Sequence, residues 1–247
     1  MDKRSVVLVT GGTRGIGLAV AEAFARRGDV VAVSGGHDPE ALAQAVERLT
    51  GIQPDATGEL VDVRDRRRVT EWVSRIVARW GRIDVAIANA GILRPRPFLE
   101  IAEEQWDDVV DTHLKGTFLV LQAVARTMVE RQIGGSLITV IAPTALRGST
   151  GVADYASAKG GIAALTRNLA TELAPWGIRV NSVLPVAETR MTEALQEYGQ
   201  VYGGNRADRY RRGTRPQPAD IVGPFLFLAS PQAQLVTGQV LAVGQSP

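Results

Sequence analysis

Glycine spacing gives the first chemistry in this chain. Thr10-Gly11-Gly12-Thr13-Arg14-Gly15-Ile16-Gly17 follows a short apolar run and opens a helical pattern. Glycines let backbone approach a pyrophosphate, and a helix start offers N–H groups and positive dipole character. The spacing is Gly-x-x-x-Gly-x-Gly rather than the Gly-x-Gly-x-x-Gly dinucleotide fingerprint. A tight strand–helix turn without a ligand uses the same glycines. Other polar residues fall where a dinucleotide site needs them. Asp62 ends the third apolar run, placed to contact an adenine ring. Asn89-Ala90-Gly91 ends the fourth, where strand order reverses in an open sheet and ligands bind. Tyr155 and Lys159 stand four apart on a predicted helix and share its face. Asn181 to Pro185 closes the sixth run.

These residues need a scaffold, and the hydrophobic pattern supplies one. Runs at 6–9, 30–33, 59–63, 83–88, 136–142, 178–184 and 239–243 are rich in Val and Ile and nearly continuous. Parallel strands covered on both faces read this way. Helix-length stretches separate them. In 65–80, Val69, Trp72, Val73, Ile76, Val77 and Trp80 recur at helical spacing, with Gly81 as a stop. Asp38-Pro39 reads as a cap and first-turn proline. Such regular alternation predicts an α/β fold, a Rossmann-type doubly wound parallel sheet in three αβα layers. Residues 1–247 read as one dinucleotide-binding domain.

Composition narrows the function classes. Of 247 residues, 28 are Lys or Arg and 26 are Asp or Glu, too even a balance to imply nucleic acid. No apolar stretch reaches the roughly 18 residues of a membrane span, and no secretory pattern opens the chain. A cytoplasmic protein is expected. Cysteine is absent, which excludes disulfides and thiol catalysis. The two histidines, His37 and His113, are too isolated for a zinc site, so no metal is expected.

Thr-Gly-x-x-x-Gly-x-Gly at 10–17, Asn-Ala-Gly at 89–91, Tyr-x-x-x-Lys at 155–159 and Asn-x-Val-x-Pro at 181–185 occur in that order. With them the sequence resembles the short-chain dehydrogenase/reductase family, essentially from end to end. The resemblance implies a seven-stranded sheet and hydride transfer between a nicotinamide and a carbonyl or alcohol carbon. It also implies a homodimer or homotetramer built through the helices around 103–130 and 152–174. It puts Gly11, Thr13, Arg14, Gly15, Ile16, Gly17, Asp62, Val63, Asn89, Gly91, Lys159 and Pro185 on the cofactor. It makes Tyr155 the general acid/base. A free tyrosine titrates near about 10, and an ammonium beside it favours the phenolate. Lys159, one helical turn away, carries that charge and by resemblance holds the nicotinamide ribose.

Two family positions are changed. The substrate-binding serine, thirteen residues before the tyrosine, is Ala142, whose methyl cannot hydrogen-bond a carbonyl oxygen. Thr144, two residues on past Pro143, is the candidate replacement. His113 stands where many relatives have an asparagine that anchors a proton-relay water. Imidazole can donate and accept, so a relay survives the change. A histidine also stands there in the branch containing peroxisomal hydroxyacyl-CoA dehydrogenases, which the stretch 185–192 also resembles. A packed histidine with no catalytic part is the competing reading. Ala142 leaves three functions open: an oxidoreductase with an altered site, a non-redox cyclase, dehydratase or isomerase on the same scaffold, and a cofactor-binding protein with little catalysis. The retained Tyr155–Lys159 pair favours the first two.

At the end of the second strand an acid normally selects NAD. Gly35 holds that position, and Arg14, Ser34 and His37 can meet a 2′-phosphate. NADP(H) is therefore favoured over NAD(H), with Asp38 left as a helix cap. The family's mobile substrate lid spans roughly 188–215. It carries Arg190, Arg206, Arg209, Arg211, Arg212 and Arg215 against Glu188, Glu193, Glu197 and Asp208. These arginines can recognise a carboxylate, a phosphate or a carrier-bound acyl chain, or form a solvated face. Tyr198, Tyr202 and Tyr210 either line an aromatic pocket or pack the lid, and Arg94, Arg96 and Phe98 are candidates for the pocket rim. The expected substrate is a small-molecule carbonyl or alcohol, carrier-bound or anionic among the options.

Overall fold

Runs of Val and Ile with no polar side can satisfy themselves only between two layers of helix. The computed structural model, which describes residues 4–203 and 215–244, places them in one sheet. Its strands are β1 Val6–Thr10, β2 Val30–Gly35, β3 Thr57–Leu60, β4 Val85–Ala88, β5 Gly135–Val140, β6 Ile178–Pro185 and β7 Val240–Val243. Their order is β3-β2-β1-β4-β5-β6-β7, and every pairing is parallel. The winding therefore reverses at the seam between β1 and β4, the Rossmann arrangement.

The pleat of β1 feeds two cores. Val6 and Leu8 pack with Val69, Trp72 and Val124, beneath α3 Arg66–Trp80 and α5 Gly116–Glu130. Val7 and Val9 pack with Val20, Phe24 and Phe225, beneath α1 Gly15–Arg26 and α9 Gly223–Ala229. The result is a three-layer αβα sandwich. The other helices are α2 Pro39–Ile52, α4 Glu103–Val110, α6 Thr144–Arg147, α7 Ala153–Glu172 and α8 Arg190–Tyr202. Among the described residues no helix is long and apolar enough to cross a membrane.

Local signals place the helix ends. The Asp65 side chain accepts from the N–H groups of Arg67 and Arg68, and Gly81 closes α3 in the left-handed region at φ 79°. Asp38 caps α2 by accepting from Ala41 N–H, with Pro39 in the first turn. Some strand bounds differ from the sequence pattern. The third run continues to residue 63, but β3 stops at Leu60, so Asp62 lies in the following loop. There its carboxylate accepts from Arg64 N–H, and Asp65 N–H donates to the Asp62 carbonyl, a turn that pulls the chain out of the sheet. The fifth run continues to 142, but β5 stops at Val140 because Pro143 starts the α6 turn. Of the expected lid, 188–203 and Arg215 are described. Arg206, Asp208, Arg209, Tyr210, Arg211 and Arg212 lie outside the described residues.

Replacing Asp65 by Ala removes the acceptor for two N–H groups at the start of α3. The variant should lose about 1 kcal/mol of stability, read as a lower urea midpoint at unchanged slope. An unchanged midpoint would show that the cap is dispensable.

Candidate active site

Beyond the regular pairing of β1 with β4, one threonine and one asparagine bridge the ends of the two strands. Thr10 Oγ1 accepts from Asn89 N–H at 3.0 Å and Ala90 N–H at 3.1 Å. Asn89 Nδ2 donates back to the carbonyls of Thr10 and Gly11, each at 3.1 Å. Gly11 and Gly15 have positive φ, 64° and 54°. A Cβ on Gly17 would lie 2.1 Å from the Gly11 carbonyl oxygen, so only glycine allows α1 to start so close to the strand end. No side chain caps α1. Its first-turn N–H groups are left for a ligand, as a pyrophosphate requires. The cradle and the uncapped helix start both fit a dinucleotide.

A cavity of about 1040 Å³ runs from this loop to Tyr155. At its adenosine end lie Arg14, Ser34, Gly35 and His37. Gly35 is there for space: its Cβ would sit 2.8 Å from Thr13 Cγ2. The Ser34 hydroxyl is buried without a partner. Arg14 is paired to Asp38 at 2.6 Å, both half exposed. The Ala41 N–H and the Arg14 guanidinium hold the Asp38 carboxyl below its ordinary value. Asp38 is thus both the cap and a counter-ion for Arg14.

At the reaction end, α7 presents Tyr155 and Lys159 on one face. Lys159 is buried, its Nζ 5.6 Å from the centre of the Tyr155 ring, and it donates to the Val140 carbonyl at 2.7 Å. Burial brings the ammonium down to about 7 and pushes the phenol well above its ordinary value. Burial therefore favours the neutral phenol, against the lowering that a neighbouring ammonium would bring.

His113 sits on a π-helical turn, Asp111–Lys115, between α4 and α5. The wider turn aims the ring inward. It meets Tyr155 edge-on, centroids 5.0 Å apart at 85°. Nε2 lies 2.6 Å from the Ile92 carbonyl oxygen and 3.0 Å from its N–H. Nε2 thus faces both polar groups of the Ile92 backbone, donating to the one or accepting from the other according to the tautomer, while Nδ1 is buried without a partner. Burial first, then the Lys159 charge, lower the imidazole to about 3. A Cβ on Gly91 would fall 2.0 Å from His113 Cε1, so that glycine admits the histidine.

Ala142 lines the cavity where a hydroxyl was expected, and Thr144 lines it too, its Oγ1 buried with no partner. Of the sequence-derived site residues, Gly11, Thr13, Arg14, Gly15, Ile16, Gly17, Val63, Asn89, Gly91, His113, Thr144, Tyr155, Lys159 and Pro185 all line this cavity. Asp62 does not. Arg64 grips its carboxylate through Nη2 at 2.8 Å and Nε at 3.0 Å, and holds its pKa down. Arg94, Arg96 and Phe98 stay outside the lining, and Phe98 is 71% exposed. Tyr198 stacks on Tyr202 at 4.8 Å, its ring lies against Gly151, and it does not line the pocket. Sequence reasoning missed Asp154, a carboxylate 2% exposed immediately before Tyr155. An acid in a helix's first turn is ordinary, and only the tertiary structure shows that it is buried.

Fold and cavity together define a dinucleotide-binding enzyme of the Rossmann class. Residues 5–199 match the family model for short chain dehydrogenases. The chain is 37% identical over 239 residues to the 3-oxoacyl-[acyl-carrier-protein] reductase FabG of Thermotoga maritima, covering 96% of this chain and 95% of that one. It superposes on an actinorhodin polyketide ketoreductase with NADPH at TM-score 0.88 and 31% identity, covering 97% and 95% of the two chains. A short chain dehydrogenase from Mycobacterium paratuberculosis bound to NAD also gives a TM-score of 0.88, at 26% identity over 98% and 97% of the chains. The chain belongs to the short-chain dehydrogenase family and is a nicotinamide-dependent oxidoreductase of that family.

A neutral buried imidazole has a signature in acid. Its pKa is 6.5 when free and about 3 in the fold. Between those values the unfolded chain takes a proton that the native one refuses, so stability falls with pH across that window. His113→Asn cannot take that proton. The variant should be less stable than wild type at pH 7, and the gap should narrow by pH 4, read from urea midpoints. A gap of equal size at both values would contradict the burial account.

Proposed function

We propose that this enzyme reduces the carbonyl of a small, anionic substrate with NADPH, and that Tyr155 donates the proton to the developing alkoxide. The observation that carries this reading is the Tyr155 phenol on the cavity wall, with the buried Lys159 Nζ 5.6 Å from its ring centre. A bound reduced nicotinamide supplies the hydride. Below a pH of about 7 Lys159 carries positive charge beside the phenol, which favours the phenolate left after transfer. The unpartnered His113 Nδ1, on a residue that lines the cavity, supports a part for the imidazole in the proton path. Thr144 Oγ1 stands in for the hydroxyl missing at Ala142.

Preference for NADP(H) rests on the adenosine end. Gly35 leaves no carboxylate at the end of β2, and Arg14, Arg190 and His37 line that region. Arg190 also bears electrostatically on Asp38, so two arginines meet one carboxylate where a 2′-phosphate would sit. For the substrate, the charged lining residues left among those described, apart from Arg14 and Arg190, are Arg147, Lys159 and Arg215, and no aspartate or glutamate lines the cavity. A lining of cations alone favours a carboxylate or phosphate on the substrate. The carrier-bound acyl group named for the Thermotoga relative fits the same cavity in chemistry. An apolar groove between α5 and α7, lined by Phe118, Leu121, Leu165 and Leu169, supports a homodimer or homotetramer.

Calorimetric titration should give micromolar binding of NADPH and weaker binding of NADH. Ala142→Ser should raise kcat/KM for carbonyl reduction about tenfold, less than the about 2.7–4 kcal/mol of a wholly lost donor because Thr144 supplies part of it, and Thr144→Val should lower it. Binding of neither nucleotide would end the redox reading, and an inert Ala142→Ser would end the missing-donor account.

The pH profile follows from Lys159. In the free enzyme its ammonium is lost as pH rises through about 7. The kcat/KM for NADPH reports free-enzyme groups, so it should decline above that value. Lys159→Arg keeps its charge and should abolish the decline at a lower plateau. A wild-type profile flat to pH 9 would show that Lys159 stays charged.

A further inference from the structure

One glutamine joins the catalytic helix to the loop that walls the substrate end of the cavity. Gln105 lies on α4, away from the cavity lining. Its Nε2 donates to the Asp154 Oδ2 at 3.0 Å and to the Arg94 carbonyl at 3.0 Å. Its Oε1 accepts from Arg96 Nε at 3.2 Å. Asp154 Oδ1 in turn accepts from the Tyr155 N–H at 2.7 Å. The loop after β4 is tied back a second time, by Arg96 N–H donating to the Gly151 carbonyl at 2.9 Å.

The unusual member is Asp154. It is 2% exposed and has no cation within ion-pair distance among the described residues. Burying a carboxylate is costly unless hydrogen bonds replace its water. Here a glutamine amide and one backbone N–H do so, at a helix start whose dipole favours negative charge. Such a group leaves the first turn of α7 little freedom to shift without losing a bond to a buried charge. The same amide grips Arg94, two residues beyond Leu93, which with Ile92 lines the cavity. Ile92 is also the residue that holds His113.

We infer that Gln105 is a positioning residue, whose side-chain amide fixes the Tyr155 turn against the substrate-side loop. The inference rests on the reading of Tyr155 as the proton donor. The charged groups facing Gln105 are Asp154 from α7 and Arg96 from the loop; Arg94 is turned away to Asp108 at 3.0 Å.

The test is a pair of variants assayed for carbonyl reduction. Gln105→Leu should lower kcat about tenfold to a hundredfold, because misplacement by an ångström costs that much, while NADPH affinity stays at the wild-type value. Gln105→Glu keeps the shape but sets two carboxylates together. Such a pair retains one proton at low pH and loses it as pH rises. Its kcat should therefore be near wild type in mild acid and fall with rising pH already below pH 7, a limb distinct from the wild-type decline above about 7. Adding Asp154→Asn should remove that limb, since an amide again faces a carboxylate. Three results would overturn the inference: wild-type kcat in Gln105→Leu, no new limb in Gln105→Glu, or kcat, NADPH affinity and melting temperature falling together. A Tyr155→Phe enzyme as active as wild type would instead sink the reading of Tyr155 and take the inference with it.

Discussion

The molecule depends on the seam between β1 and β4. Winding a parallel sheet both ways from its middle opens a crevice at the strand ends, and no regular hydrogen bond closes it. Thr10 and Asn89 close its floor with side-chain bonds across the two strands. Above that floor the backbone must come close without obstruction, which fixes glycine at 11 and 17. The binding site is therefore a gap left by topology, its rim shaped by residues with little or no side chain.

Burial sets the electrostatics of the reaction end. Lys159 and Tyr155 share a helix face, yet the protein part of the site keeps both close to neutral forms. His113 is neutral for the same reason. Arg14, Arg147, Arg190 and Arg215 line the same cavity, with no aspartate or glutamate among its described lining residues. Charge on this wall is therefore carried by guanidinium groups, while burial disfavours it on the tyrosine, lysine and histidine.

Much of this was legible in the sequence. Seven apolar runs gave seven strands in the predicted parallel arrangement, and Asp38, Asp65 and Gly81 ended helices as their types require. The glycine loop, Asn89 and the Tyr155–Lys159 pair came together at the seam because each follows a strand end or shares a helix face. What the sequence hid depends on contacts across the fold. Asp62 reads as an adenine ligand until Arg64 is seen gripping it. Gly35 reads as a missing acid, whereas Thr13 packed against it leaves no room for any side chain. Asp154 reads as a helix-start acid, and its burial against Gln105 has no local signature.

Gly91 and His113 bear on how this sequence can change. The imidazole occupies the volume that any side chain at 91 would need. Neither position is free while the other stands. A descendant can acquire alanine at 91 only after the ring at 113 has given way to something smaller, so one order of substitution is open and the reverse is closed. By the same overlap, an imidazole at 113 in this position requires glycine at 91.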